Sequence, residues 1–136
     1  MPIIPVVVAI ITDKFQRVLI TQRGGNSSFS GWWEFPGGKI EASEAPVTAL
    51  TREVQEELGV AVQAYDYLGQ LVHAYPDRVV SLNAYHVRQY NGEPHCCEQQ
   101  QGLHWVYHDE LKAFQLLEAS QLLLIMLGGV IGTKCG

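Results

Sequence analysis

From Pro5 to Ile11 the chain runs PVVVAII without a single polar side chain, which predicts a buried strand. Asp13-Lys14 then turns the chain into a second strand, Arg17 to Thr21. GGNSSFSG, residues 24 to 31, is a loop by composition. Trp32 to Phe35 is read as extended, because Pro36 disfavours helical geometry in the residue before it. Gly37-Gly38 is expected to break the chain. Beyond it the hydrophobic period changes: Val47, Leu50, Val54 and Leu58 recur at the 3/4 spacing of one buried helix face. Pro46 suits the first turn of that helix and Gly59 its left-handed end, while Ala45 offers no capping side chain. Tyr65 to Tyr75, Val79 to Val87 and Leu103 to Val106 read as strands, with turns at Pro76-Asp77 and Asn91-Gly92. A last helix is expected from Leu117 to Leu127. Hairpins mixed with helices in this order predict an α+β fold, a sandwich built on a mixed sheet rather than a parallel doubly wound one. No repeat or linker interrupts the chain, so residues 1–136 are read as one domain.

The polar positions of the central helix carry the first chemical signal. Glu53, Glu56 and Glu57 crowd one turn, Glu44 lies just ahead, and Arg52 is the nearby counter-charge. Like charges at this spacing destabilise an isolated helix by about 0.2–0.5 kcal/mol per pair. A Glu-rich turn is ordinarily a solvated face, but here the charges are poorly compensated. Gly37-Gly38 also permits a close backbone approach to the same place. Carboxylates with a main-chain carbonyl form an all-oxygen site suited to Mg²⁺ or Mn²⁺ rather than Zn²⁺.

Charge and cysteine content narrow the partners. A net charge of −5 disfavours nucleic acid and anionic membranes, and an acidic protein handling phosphates needs help from cations. The three cysteines, Cys96, Cys97 and Cys135, do not form a disulfide framework, which suits a reducing cytoplasm. His95, Cys96 and Cys97 are consecutive and cannot easily converge on one ion. MPIIPVVVAIIT lacks the basic start and cleavage site of a signal peptide, and LLLIMLGGVI is half the length a bilayer requires. The latter is expected to be a buried last helix.

The spacing of the acidic residues is more specific than their number. Gly38, five residues, Glu44, seven residues, then REVQEELGV from Arg52 to Val60 resembles the signature of the Nudix hydrolases at every fixed position of a box spanning 38–60. VVVAIITDKFQRVLITQR, WWEFPGGKIE, YPDRVVSLNAYHV and NGEPH are similar to the MutT branch of that superfamily, the nucleotide-pool sanitising enzymes. The resemblance implies an α/β/α sandwich with the box helix on one side of a mixed sheet. It implies that Glu53, Glu56 and Glu57 hold the metals with the Gly37 carbonyl and the Gly38 backbone, that Arg52 orients the glutamates, and that Glu44 supports the loop. The implied reaction is attack of water on a nucleoside triphosphate, giving the monophosphate and pyrophosphate, by a monomer. Glu53 is the first choice for the base that accepts the proton. Glu98 is the second, as base or metal ligand from a distant loop; counting back from Trp105 would put Gln99 there instead.

The substrate side is less fully specified. By resemblance Arg23 contacts the phosphates or nucleotide; Arg78 and Glu34 are further substrate-side candidates, and Phe35, Trp32 and Trp33 offer an aromatic face to a base. Of Trp32 and Trp33, only one can face the cleft, because strand side chains alternate. Preference for 8-oxo-dGTP in MutT enzymes relies on an asparagine early in the last helix, where this chain has Ser120; relatives favouring cytosine nucleotides have aspartate there. A hydroxyl carries one donor hydrogen and cannot reproduce the paired contacts of an amide. Pyrophosphatases for CTP, modified pyrimidine nucleotides or a broad range of nucleoside triphosphates therefore stand as the alternative, with Glu118 as another acceptor. A non-catalytic Nudix-like binding module is the alternative of another class, although such modules lose the box glutamates.

Overall fold

The computed structural model describes residues 2–134, so Cys135 and the two chain ends lie outside the described residues. The elements are β1 (Ile3–Ile11), β2 (Val18–Gln22), β3 (Trp33–Glu34), β4 (Gly37–Lys39), α1 (Pro46–Leu58), β5 (Ala61–Ala74), β6 (Val79–Asn91), β7 (Gly102–Val106) and α2 (Glu118–Leu123). Two 3₁₀ segments, His108–Ala113 and Leu124–Leu127, flank α2. One sheet has the order β4-β1-β6-β5, with β1 and β6 parallel and the outer pairs antiparallel; β3-β2-β7 form an antiparallel second sheet. The fold is thus the expected α+β sandwich with a mixed sheet.

The unbroken apolar run of β1 follows from burial on both faces. Val7, Ala9 and Ile11 point into a core shared with Leu50, Val54 and Leu58 of α1. Val8 and Ile10 point the other way, into a core closed by Leu123 and Leu127. β2 divides in the same manner, Leu19 to the α1 side and Val18 and Ile20 to the other. The helix α1 begins at Pro46 without a side-chain cap from Ala45 and ends at Gly59, whose φ of 72° lets its N–H bond the Gln55 carbonyl. The missing cap costs about 1 kcal/mol relative to Ser or Thr, which burial of the helix face offsets.

Four elements depart from the pattern-based reading. Gly37-Gly38 is not a break but most of β4, paired with Val8 and Val7 of β1. A Cβ on Gly37 would collide with the Val7 carbonyl oxygen, so the strand exists because these residues have no side chain. β5 starts at Ala61 rather than Tyr65 and pairs along β6 as far as Asn91. Register shifts between Val62 and Ala64, Ala64 and Tyr65, and Tyr67 and Gly69 disturb its period-2 signal. Arg17 belongs to the turn before β2, where Asp13 accepts from its backbone N–H and its Nε. The last helix is split: Leu117 stands before α2, and the 3₁₀ segment buries Leu127 while leaving Ile125 91% exposed. No helix among the described residues is long and apolar enough to cross a membrane.

Candidate active site

Because α1 buries Leu50, Val54 and Leu58, its glutamates project beside that stripe toward β4. Arg52 organises them. Its Nε and Nη2 donate to both oxygens of Glu44 at 2.8 and 2.9 Å, a two-pronged pair, and Nη1 donates to Glu53 Oε1 at 2.8 Å. Nη2 also reaches the Lys39 carbonyl at 3.1 Å, fixing α1 to the end of β4. Hydrogen bonds from Arg52 and from the Glu41 backbone N–H hold the Glu44 carboxyl at a pKa of about 2. Glu56, half exposed, meets Arg52 only at 3.5 Å.

Glu53 and Glu57 form the inner pair. Glu57 Oε2 accepts the Gly37 N–H at 3.1 Å, and the Glu53 carboxylate lies over Gly38. Burial above all, then the hydrogen bond and charge of Glu53, then the charge of Glu34, push the Glu57 carboxyl up to about 9. Burial and the neighbouring carboxylates thus disfavour the charged form of Glu57. This oxygen-only pair, crowded together and facing a glycine strand, has the chemistry of a hard divalent cation site, with Mg²⁺ or Mn²⁺ the matching ions. Among the described residues no three His, Cys, Asp or Glu side chains are already gathered around one point. Glu56 and Arg52 would have to adjust when an ion binds.

The substrate-side residues gather in one cleft next to this pair. Arg23, at the end of β2, meets Glu34 at 3.2 Å and donates Nε to the Ser28 carbonyl at 2.7 Å. Burial raises the Glu34 carboxyl and Arg23 opposes the rise. Phe35 is buried, and its N–H donates to Ser120 Oγ at 3.2 Å, so the hydroxyl early in α2 already serves the backbone ahead of β4. An inner cavity of about 220 Å³ is lined by Arg23, Glu34, Phe35, Gly38 and Ser120. An outer cavity of about 650 Å³ continues from Arg23 and Ala119 to Trp32, Tyr75, Arg78 and Glu118. Trp32, just ahead of β3, lines this cleft, while Trp33 packs edge-on to Phe114 at 5.2 Å, so only one of the two faces the cleft.

Among the described residues Glu98 makes no hydrogen bond to a box glutamate, although its loop reaches the box helix. Its loop is tied to the end of α1, where the Glu57 carbonyl accepts from Cys97 N–H at 3.0 Å and Gln100 Nε2 at 2.9 Å. The Glu98 side chain instead borders a surface depression with residues 24–27 and Gln99. Among the described residues neither it nor Gln99 bonds a box glutamate; Cys97 and Gln100, on either side, bond the Glu57 carbonyl. Residues that pattern reading missed are Tyr75 and Phe29 in the outer cleft and Gln22 and Gln101 behind it, the last donating to the Arg23 carbonyl at 2.7 Å. An aromatic stranded in the otherwise polar GGNSSFSG segment was the available signal for Phe29. A larger cavity, about 760 Å³, lies at the far ends of β1 and β6; there Asp13 and Asp66 already neutralise Arg17 and Arg88.

The NUDIX domain model matches residues 2–125. The chain belongs to the Nudix family. It is 36% identical over 122 residues to an 8-oxo-dGTP diphosphatase of Haemophilus influenzae, covering 90% of this chain and 89% of that one. It is likewise 36% identical over 118 residues to a CTP pyrophosphohydrolase of Escherichia coli, covering 87% of each. Among solved structures, this Nudix chain superposes on the E. coli ORF135 protein with a TM-score of 0.83 at 33% identity, over 96% of this chain and 91% of that one. A MutT NUDIX hydrolase from Burkholderia pseudomallei also gives 0.83, at 26% identity over 93% and 99%. The box residues described above thus sit in a Nudix frame.

Proposed function

We propose that this Nudix hydrolase converts nucleoside triphosphates to the monophosphate and pyrophosphate, with Mg²⁺ or Mn²⁺ held by Glu53, Glu56 and Glu57 beside Gly37 and Gly38. The observation that carries the reading is the placement of Glu53 over Gly38 and of Glu57 on the Gly37 N–H, beside a cleft that contains Arg23, Glu34 and Phe35. A bound divalent ion supplies charge neutralisation for the phosphates and acidifies water. The chain supplies the rest. Arg52 and Glu44 keep the acidic side chains oriented, as outer partners of metal ligands do. Arg23 presents a cation at the join of the inner and outer cavities, where phosphate meets nucleoside. Glu53 accepts the proton of the attacking water; with its carboxylate beside the glycine strand it is better placed for this than Glu98, which faces the loop at residues 24–27.

A broad base preference follows from Ser120. Its oxygen already accepts the Phe35 N–H, and the hydrogen and lone pair that remain on this single atom cannot reproduce the paired in-plane contacts of an amide. The names of the two relatives, one acting on 8-oxo-dGTP and one on CTP, bracket the range. We read the chain as accepting both kinds of base without strong selection, as a monomer in the cytoplasm, where free Cys96 and Cys97 would stay reduced.

The test is kcat/KM with Mg²⁺ for 8-oxo-dGTP, dGTP, CTP, 5-methyl-dCTP and ADP-ribose, with Glu53→Gln as the blank. Pyrophosphate release from several triphosphates within about tenfold of one another supports the reading. Exclusive cleavage of ADP-ribose, or binding without release of pyrophosphate, overturns it.

A further inference from the structure

We propose that Phe29 is a base-binding residue that forms one wall of an aromatic clamp across the outer cavity, a role that rests on the nucleotide reading above. Phe29 is 62% exposed, joins neither hydrophobic core, and still lines the cleft together with Trp32, Tyr75 and Arg78. Its ring meets Trp32 edge-to-face, with centroids 5.8 Å apart and planes at 81°. In the lining of the same cavity the Arg78 guanidinium lies 4.4 Å from the centre of the Tyr75 ring, a cation stacked on an aromatic face. Both pairs therefore offer flat, polarisable surface to the same space, and Arg23 lines both it and the inner cavity. A planar heterocycle is the ligand such walls fit, since every base has a π-face and stacking tolerates differences in sequence of donors and acceptors.

The loop that presents Phe29 is held rather than loose. Arg23 Nε donates to the Ser28 carbonyl at 2.7 Å, Trp32 N–H to the Phe29 carbonyl at 3.1 Å, and Gln22 Nε2 to the Gly31 carbonyl at 3.0 Å. Within it Phe29 has φ of 57°, a left-handed conformation that bulky residues rarely adopt. Neighbouring Ser28, Ser30 or Gly31 would take the position with less cost if only a turn were needed. The same arginine thus links the stacking wall to the phosphate end: its side chain fixes the carbonyl one residue before Phe29. This also accounts for broad base acceptance, because affinity would come from stacking where Ser120 supplies little hydrogen-bond selection.

Phe29→Ala and Phe29→Tyr are compared with the parent enzyme for KM and kcat on dGTP and CTP, and for inhibition by inorganic pyrophosphate, which has no base. The expected result for Phe29→Ala is a KM raised roughly tenfold for both nucleotides, near-complete rescue in Phe29→Tyr, and pyrophosphate inhibition as in the parent. An unchanged KM would overturn the clamp alone. Weakened pyrophosphate inhibition in step with KM would overturn it too, by showing that Phe29 only shapes the Arg23 loop. A parent enzyme that releases no pyrophosphate from any nucleoside triphosphate would instead bring down the functional reading itself.

Discussion

The carboxylate of Glu53 occupies the place where a side chain at residue 38 would stand: a Cβ on Gly38 would meet its Cδ at 2.5 Å and both oxygens at 2.6 Å. Gly37, one residue earlier, abuts the backbone of Val7 instead. The two glycines of β4 are therefore needed for different reasons, one by the candidate site and one by the sheet.

Gly38→Ala should move the flexible end of Glu53 and little else. We expect a thermal midpoint within a few degrees of the parent, with turnover reduced at least tenfold and Mg²⁺ affinity weakened. Gly37→Ala should do the reverse, lowering the midpoint sharply because a main-chain contact cannot give way; overpacking of this kind costs about 1–3 kcal/mol. Thermal melts and pyrophosphate assays on the two variants separate these effects, and equal behaviour of both would contradict the assignment.

Glu53→Gln should cut turnover by several orders of magnitude while leaving the fold intact, since Glu53 faces β4 and not the core. Arg52→Lys should cost about 10–100-fold in turnover, the range seen when outer partners of metal ligands are altered. Lysine keeps the charge but cannot hold both oxygens of Glu44 in one fork. Steady-state kinetics on folded variants decide; near-parental turnover in Glu53→Gln would remove it from the chemistry.

In the absence of metal, stability should fall as pH rises. The Glu57 carboxyl titrates near 9 in the fold and near the ordinary carboxylate value when unfolded. Between those values the native state holds more protons than the unfolded one, so each step up in pH favours unfolding. The contribution is complete below about 4.5 and lost as pH passes through about 9. Melts in EDTA from pH 5.5 to 9.5 should show this decline, and Glu57→Gln should flatten it.

At Ser120 two substitutions should part company. Ser120→Ala removes the acceptor for the buried Phe35 N–H and should cost about 1–3 kcal/mol of stability. Ser120→Asn should raise the ratio of kcat/KM for 8-oxo-dGTP over dGTP by supplying paired contacts. An unchanged ratio would show that residue 120 does not face the base.

What the sequence determined by itself is what depends on spacing along one element. The 3/4 stripe of α1, its uncapped start and Gly59 end, the both-sided burial of β1 and the entry of only one of Trp32 and Trp33 into the cleft all follow from local geometry, and each stands in the structure. The box spacing was equally legible, and it led to the family. Only the tertiary structure decided what distant segments do to one another. It made Gly37-Gly38 a strand because β1 accepts a chain without side chains, and it buried Glu57 beside Glu53, which pushes the Glu57 carboxyl up. It committed Ser120 to the Phe35 amide, turned Glu98 toward the loop at residues 24–27, and gave Phe29 a place in the cleft. The reason is physical: a helix or strand repeats its own period wherever it lies, whereas the partner of a carboxylate, a hydroxyl or an exposed ring is set by which surfaces the folded chain brings into contact.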